Sequence, residues 1–158
     1  MGLFKKFLIA FLCVLMASVL NAGSKTQILL DQLGRAQSME QANPIVEELW
    51  KEWTSAHNNE DEKALMSKGI AAMSKGNLDR AENLFTKLIE VNPYFTEAWN
   101  KRATLRFMAW DFEGSLKDVK KVLALEPRHF GALSGLGMIY LRLGDPESAL
   151  KALSLIHI

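Results

Sequence analysis

Residues 62–95, EKALMSKGIAAMSKGNLDRAENLFTKLIEVNPYF, lie over residues 96–129, TEAWNKRATLRFMAWDFEGSLKDVKKVLALEPRH, and over residues 130–158, FGALSGLGMIYLRLGDPESALKALSLIHI, at one constant step of 34. Pro93 and Pro127 are one step apart, and so are Asp111 and Asp145. Gly69, Ala103 and Gly137 form a small-residue series, and Ala81, Ser115 and Ala149 form another. Leu65, Trp99 and Leu133 are all large and apolar, as are Leu88, Val122 and Ile156. A fixed period in this range is the mark of a repeat architecture, in which each unit buries its apolar face on its neighbours.

The residue types fit a pair of antiparallel helices. Two helices approach closely where each carries a small side chain, so Gly69 is expected to face Ala81, Ala103 to face Ser115 and Gly137 to face Ala149. Leu65, Trp99 and Leu133 fill the volume beside those contacts. Gly76-Asn77, Trp110-Asp111 and Gly144-Asp145 mark the turn inside each pair. Pro93 and Pro127 end the second helix, because proline lacks the amide donor and disfavours helix in the residue before it.

This pattern resembles the tetratricopeptide repeat family over residues 62–158. Repeat one carries Leu65, Gly69, Ala81, Phe85 and Pro93; repeat two carries Trp99, Ala103, Ser115 and Pro127; repeat three carries Leu133, Leu136, Gly137, Tyr140 and Ala149. Arg106 and Ala72 depart from the family's usual tyrosine, Trp110 from its turn glycine and Val119 from its phenylalanine. The resemblance implies an all-α fold, a right-handed superhelical solenoid of antiparallel helix pairs. An N-terminal helix pair, read from Ser24 to Gly34 and from Ser38 to Ala56, precedes it. Ile28, Leu29 and Leu33 give one apolar stripe, and Ile45, Leu49, Trp50 and Trp53 another. This pair, residues 23–61, is expected to cap the first repeat, with both tryptophans packed rather than binding a ligand.

Residues 1–22 read as a secretory signal peptide. Lys5 and Lys6 precede an apolar run from Phe7 to Leu20, too short to span a bilayer, and small or polar residues follow, with cleavage expected after Ala22. An uncleaved anchor is the alternative. Cys13 lies among bulky residues and does not form a lipobox, and Lys6 stands where myristoylation wants a hydroxyl. At the other end the period places a proline near 161, so the third repeat is incomplete. The last six residues, Leu153 to Ile158, match the translation of a transposase adapter used in sequencing libraries, and the native chain is expected to differ there.

The 19 basic and 18 acidic side chains of this 158-residue chain exclude the basic excess of a nucleic-acid binder. The charge is uneven: residues 23–61 carry −4 and residues 62–158 carry +3. One cysteine excludes a disulfide framework. His57, His129 and His157 form no i, i+4 metal pair, and no phosphate loop or nucleophile elbow occurs. No cofactor, no metal and no enzymatic activity are expected.

The resemblance places a concave groove on the first helix of each repeat. Its lining is Lys63, Met66, Ile70 and Met73 in repeat one, Glu97, Asn100, Thr104 and Phe107 in repeat two, and Gly131, Ser134, Met138 and Leu141 in repeat three. The family's clamp for peptide carboxylates needs lysine and asparagine where Met66 and Ile70 stand, so it is absent. Methionine and aliphatic side chains give an adaptable apolar lining, and Asn100 and Thr104 can bond a peptide backbone. The expected partner is a protein or peptide, recognised by an exported, non-catalytic scaffold. The alternatives are a structural subunit whose groove is filled by its own N-terminal helices or another copy, and an accessory module of an envelope enzyme. Lys117, Lys120 and Lys121 read as a solvated outer face.

Overall fold

The structure, a computed structural model, describes residues 25–54 and 59–156. The expected signal peptide, His57 and His157 lie outside the described residues. Those described form eight helices and no strand: α1 (25–33), α2 (Met39–Thr54), α3 (Glu60–Ser74), α4 (Leu78–Val91), α5 (Thr96–Met108), α6 (Phe112–Leu125), α7 (Phe130–Arg142) and α8 (Pro146–Ser154). They fall into two compact units that divide between Glu52 and Trp53.

In the first unit, Lys25 of α1 pairs with Glu48 at 3.0 Å and with Glu52, both on α2. Leu29, Leu30, Leu33, Ala42 and Leu49 are buried, whereas Ile28, expected in the α1 stripe, is 56% exposed. Leu30 takes its place, because α1 turns the 29–30–33 face inward.

The second unit holds the repeats as the pairs α3/α4, α5/α6 and α7/α8, which form a tetratricopeptide-like helical solenoid. Local chemistry sets the helix ends at the same step of 34. Asn77, Asp111 and Asp145 each accept a hydrogen bond from the amide three residues on, at 3.3, 2.9 and 3.0 Å, and so cap α4, α6 and α8. Asn92 and Glu126, each before a proline, are extended at φ −138° and −136° and stop α4 and α6. Each turn inside a pair needs one left-handed residue: Gly76 at φ 73°, Trp110 at 64° and Gly144 at 78°. Trp110 takes that conformation without glycine's freedom. Asn59 caps α3 by accepting from the Asp61 and Glu62 amides, so Glu60 and Asp61, grouped by the sequence with the N-terminal pair, already belong to the first helix of repeat one.

The small-residue contacts fall one turn later than expected in two of the three pairs. A Cβ on Gly69 would lie 2.5 Å from Cε1 of Phe85, and one on Gly137 would lie 2.8 Å from the Leu153 side chain. Glycine therefore opposes a large side chain, not Ala81 or Ala149, because the larger group fills the space the missing side chain leaves. Ala103 does meet Ser115, whose hydroxyl donates to the Ala103 carbonyl at 2.8 Å.

Two apolar clusters follow the chain. Met66, Ala81, Phe85, Leu88, Ala98 and Leu105 tie repeat one to α5, and Ala103, Val119, Val122, Ala132 and Ile139 tie repeat two to α7. Arg106, where the family usually has tyrosine, makes a polar seam between repeats. It donates to Glu82 of α4 at 2.9 Å and to Asp118 of α6 at 3.0 Å.

Candidate partner-binding groove

The groove residues separate by their height along the first helices. Those toward the inner turn are open. Ile70 is 39% exposed, Met138 51% and Leu141 57%, and Thr104 is exposed too; Ser134, level with Met66 and Asn100 at the other end, is the exception there and is also exposed. Met73 and Phe107 are half-buried, with the Phe107 ring 5.4 Å from that of Phe112. The Thr104 hydroxyl donates to the Asn100 carbonyl of its own helix at 3.0 Å, leaving its oxygen free to accept from a peptide amide. Spaced at three and four residues, these side chains share one face of each helix.

Apart from Ser134, the other end is closed. Met66 is buried in the repeat-one core, and Lys63 is half-buried and pairs with Glu60 at 2.8 Å. Asn100, expected to be partly exposed, is buried and donates to Glu97 Oε2 at 3.0 Å. Gly131 is half-buried.

Glu97 is the centre of this closed end. It is fully buried, as is His129. His129 caps α7 by accepting at Nδ1 from the Ala132 amide at 3.1 Å. That bond puts the proton of the neutral ring on Nε2, which donates to Glu97 Oε2 at 3.1 Å. The other carboxylate oxygen meets the Lys101 ammonium at 3.0 Å. Burial pushes the Glu97 carboxyl up, but the His129 bond and the Lys101 charge outweigh it and hold the group below its ordinary value. The Trp53 indole stacks on His129 with ring centroids 3.9 Å apart and lies 5.1 Å from the Phe130 ring. Trp53 is buried, as expected, while Trp50 is half-buried.

The sequence places His129 last in repeat two, and nothing in its spacing points to Glu97. The signal it carried was its position just before an apolar helix, where a cap is wanted. Trp110 stands in the turn expected for it, where the family has glycine. It is 72% exposed, 5.7 Å from the Phe112 ring, with the Arg142 guanidinium 5.8 Å from its centroid. Among the described residues no group of three histidines or carboxylates could hold a metal ion, and no helix is long and apolar enough to cross a membrane. On the outer helix Lys117 and Lys120 are exposed, and Lys121 lies 6.0 Å over the Trp99 ring.

Antiparallel helix pairs stacked at a constant step define a helical-repeat protein of the interaction-scaffold class. A tetratricopeptide repeat model matches residues 66–118 and 109–156, and the chain belongs to that family. A TPR repeat-containing protein of Rhizobium etli is 34% identical over 136 residues, covering 84% of this chain and 66% of that protein. The protein FlbA of Caulobacter vibrioides is 27% identical over 138 residues, covering 85% of this chain and 22% of FlbA. The chain thus spans just under two thirds of the first relative and under a quarter of the second. In fold it is similar to solved structures of MamA. One superposes with a TM-score of 0.58 at 15% identity over 74% of this chain and 66% of that one. Another gives 0.56 at 16% identity over 89% and 90%.

Proposed function

We propose that the protein is a non-catalytic scaffold of the bacterial cell envelope that holds a polypeptide segment in the open part of its groove. The observation that carries this reading is the exposure of Ile70, Met138 and Leu141 on the first helices of repeats one and three, around the accepting oxygen of Thr104. Flexible apolar side chains adapt to a peptide, and a hydroxyl fixes its backbone. Peptides selected from a random library on the full chain provide the test. Met138→Ser with Leu141→Ser is expected to weaken their binding about thirtyfold, the loss of about 2 kcal/mol typical of a hot spot. The unfolding midpoint should hardly move, since both side chains face solvent. Lys117→Ala with Lys120→Ala on the outer helix should leave binding intact. The opposite pattern refutes the groove.

A second reading has its own observation. Trp53 already covers His129, so the closed end of the groove is filled by this chain's own indole. In a structural subunit the filling is permanent. Trp53→Ala should then raise peptide affinity, whereas in the first reading it leaves affinity unchanged.

Envelope localisation rests on residues 1–22, where a Lys5-Lys6 charge precedes a short apolar run. A fusion of residues 1–22 to a reporter should be exported from a bacterial cytoplasm and cleaved after Ala22. A reporter that stays cytoplasmic rejects this localisation.

A further inference from the structure

In repeats two and three, the first helix packs one face against the second helix of the repeat before. Leu105 of α5 is buried there, Arg102 donates to Thr86 of α4 at 3.1 Å, and Arg106 donates to Glu82 of α4 at 2.9 Å. In repeat three the equivalent Ile139 of α7 is buried with Val119 and Val122 of α6. One step earlier, the same face of α3 carries Lys68, Ala71 and Ala72, and there Lys68 and Ala71 are exposed.

That face holds a cavity of about 310 Å³, lined by Lys68, Ala71, Ala72, Lys75, Asn77 and Arg80. Three of the six are cations and none is acidic. Among the described residues, the Lys68, Lys75 and Arg80 side chains meet no carboxylate. Three like charges around one hollow repel each other and attract an anion. Lys68 lies on α3 and Lys75 caps its C-terminal end seven residues on, a rise of about 10 Å. One small anion does not span that distance, whereas a helix laid alongside presents carboxylates one or two turns apart. Repeat two shows how such a helix seats: α4 lies on α5 and offers Glu82 and Thr86 to two arginines.

We propose that this edge of the first repeat docks an acidic helix of a partner polypeptide, laid on α3 as α4 lies on α5. The site is separate from the groove, so the two stand or fall independently. The probe is a labelled peptide of residues 78–91 carrying Arg80→Glu and Lys87→Glu, which moves its net charge from −1 to −5. Fluorescence anisotropy against the full chain should show binding that weakens steeply with salt. Lys68→Glu with Lys75→Glu and Arg80→Glu should weaken it at least about tenfold, since each replaces an attraction by a repulsion. All three side chains are exposed, and the circular dichroism melt of the variant should match the parent. Met138→Ser with Leu141→Ser should leave this probe's binding unchanged. Equal binding by the triple variant overturns the site. Equal binding of a scrambled peptide of the same composition overturns the helical mode.

Discussion

Asp118→Ala is expected to cost about 3–5 kcal/mol of folding stability, the penalty for stranding a buried charge. Asp118 is fully buried on α6 and holds two cations at once. Its oxygens accept from Nε and Nη2 of Arg102, both at 2.8 Å, and from Nη1 of Arg106 at 3.0 Å. The forked pair with Arg102 matches guanidinium to carboxylate. Arg102 is itself buried, so without Asp118 its remaining side-chain acceptor is the neutral Thr86 hydroxyl. Arg106 keeps Glu82 and is partly exposed, and it contributes less to the loss. Urea denaturation of the single variant reads the effect. Adding Arg102→Leu should restore much of the stability, because removing both charges leaves no orphan. A single variant within about 1 kcal/mol of the parent contradicts the network.

Gly69→Leu should cost about 3 kcal/mol, near the upper end for overpacking. Even the first added carbon would lie 2.5 Å from Cε1, 2.8 Å from Cζ and 3.0 Å from Cδ1 of Phe85. Phe85 is fully buried, and its ring has no space to retreat into. Gly76→Ala is the contrast: nothing stands within 4 Å of its added carbon, and only the left-handed backbone at φ 73° resists it. That substitution should cost about 1 kcal/mol. Shrinking the ring with Phe85→Leu should lessen the penalty of Gly69→Ala. If Gly69→Leu melts with the parent, α3 and α4 are not in the register described.

The repeat boundaries were legible because their signals act within a few residues. A side-chain oxygen three positions before an amide makes a cap, a proline ends the helix before it, and a left-handed residue closes a turn. Each recurs at 34, so Asn77, Asp111 and Asp145 announce three second helices with no knowledge of what packs on them. Which residue meets a glycine was less legible. The small-residue pattern points Gly69 at Ala81, and the volume of Phe85, one turn on, decided otherwise. Arg106, a departure from the family's usual tyrosine, spans two repeats, since a long side chain reaches acids on α4 and α6 that no single-helix pattern relates.

By itself the sequence determined an all-α repeat protein with three helix pairs, their turns and stops, and a row of equivalent first-helix positions. Only the tertiary structure decided which part of that row is open. Ile70, Met138 and Leu141 face solvent, while Glu97 and Asn100 at the same helical spacing are buried. The physical reason is that burial depends on partners distant in the chain. Glu97 bonds His129, the cap of the next repeat's first helix, and Trp53 from before the first repeat stacks on that histidine. A period of 34 states which positions are equivalent; it does not state which of them another element has already covered.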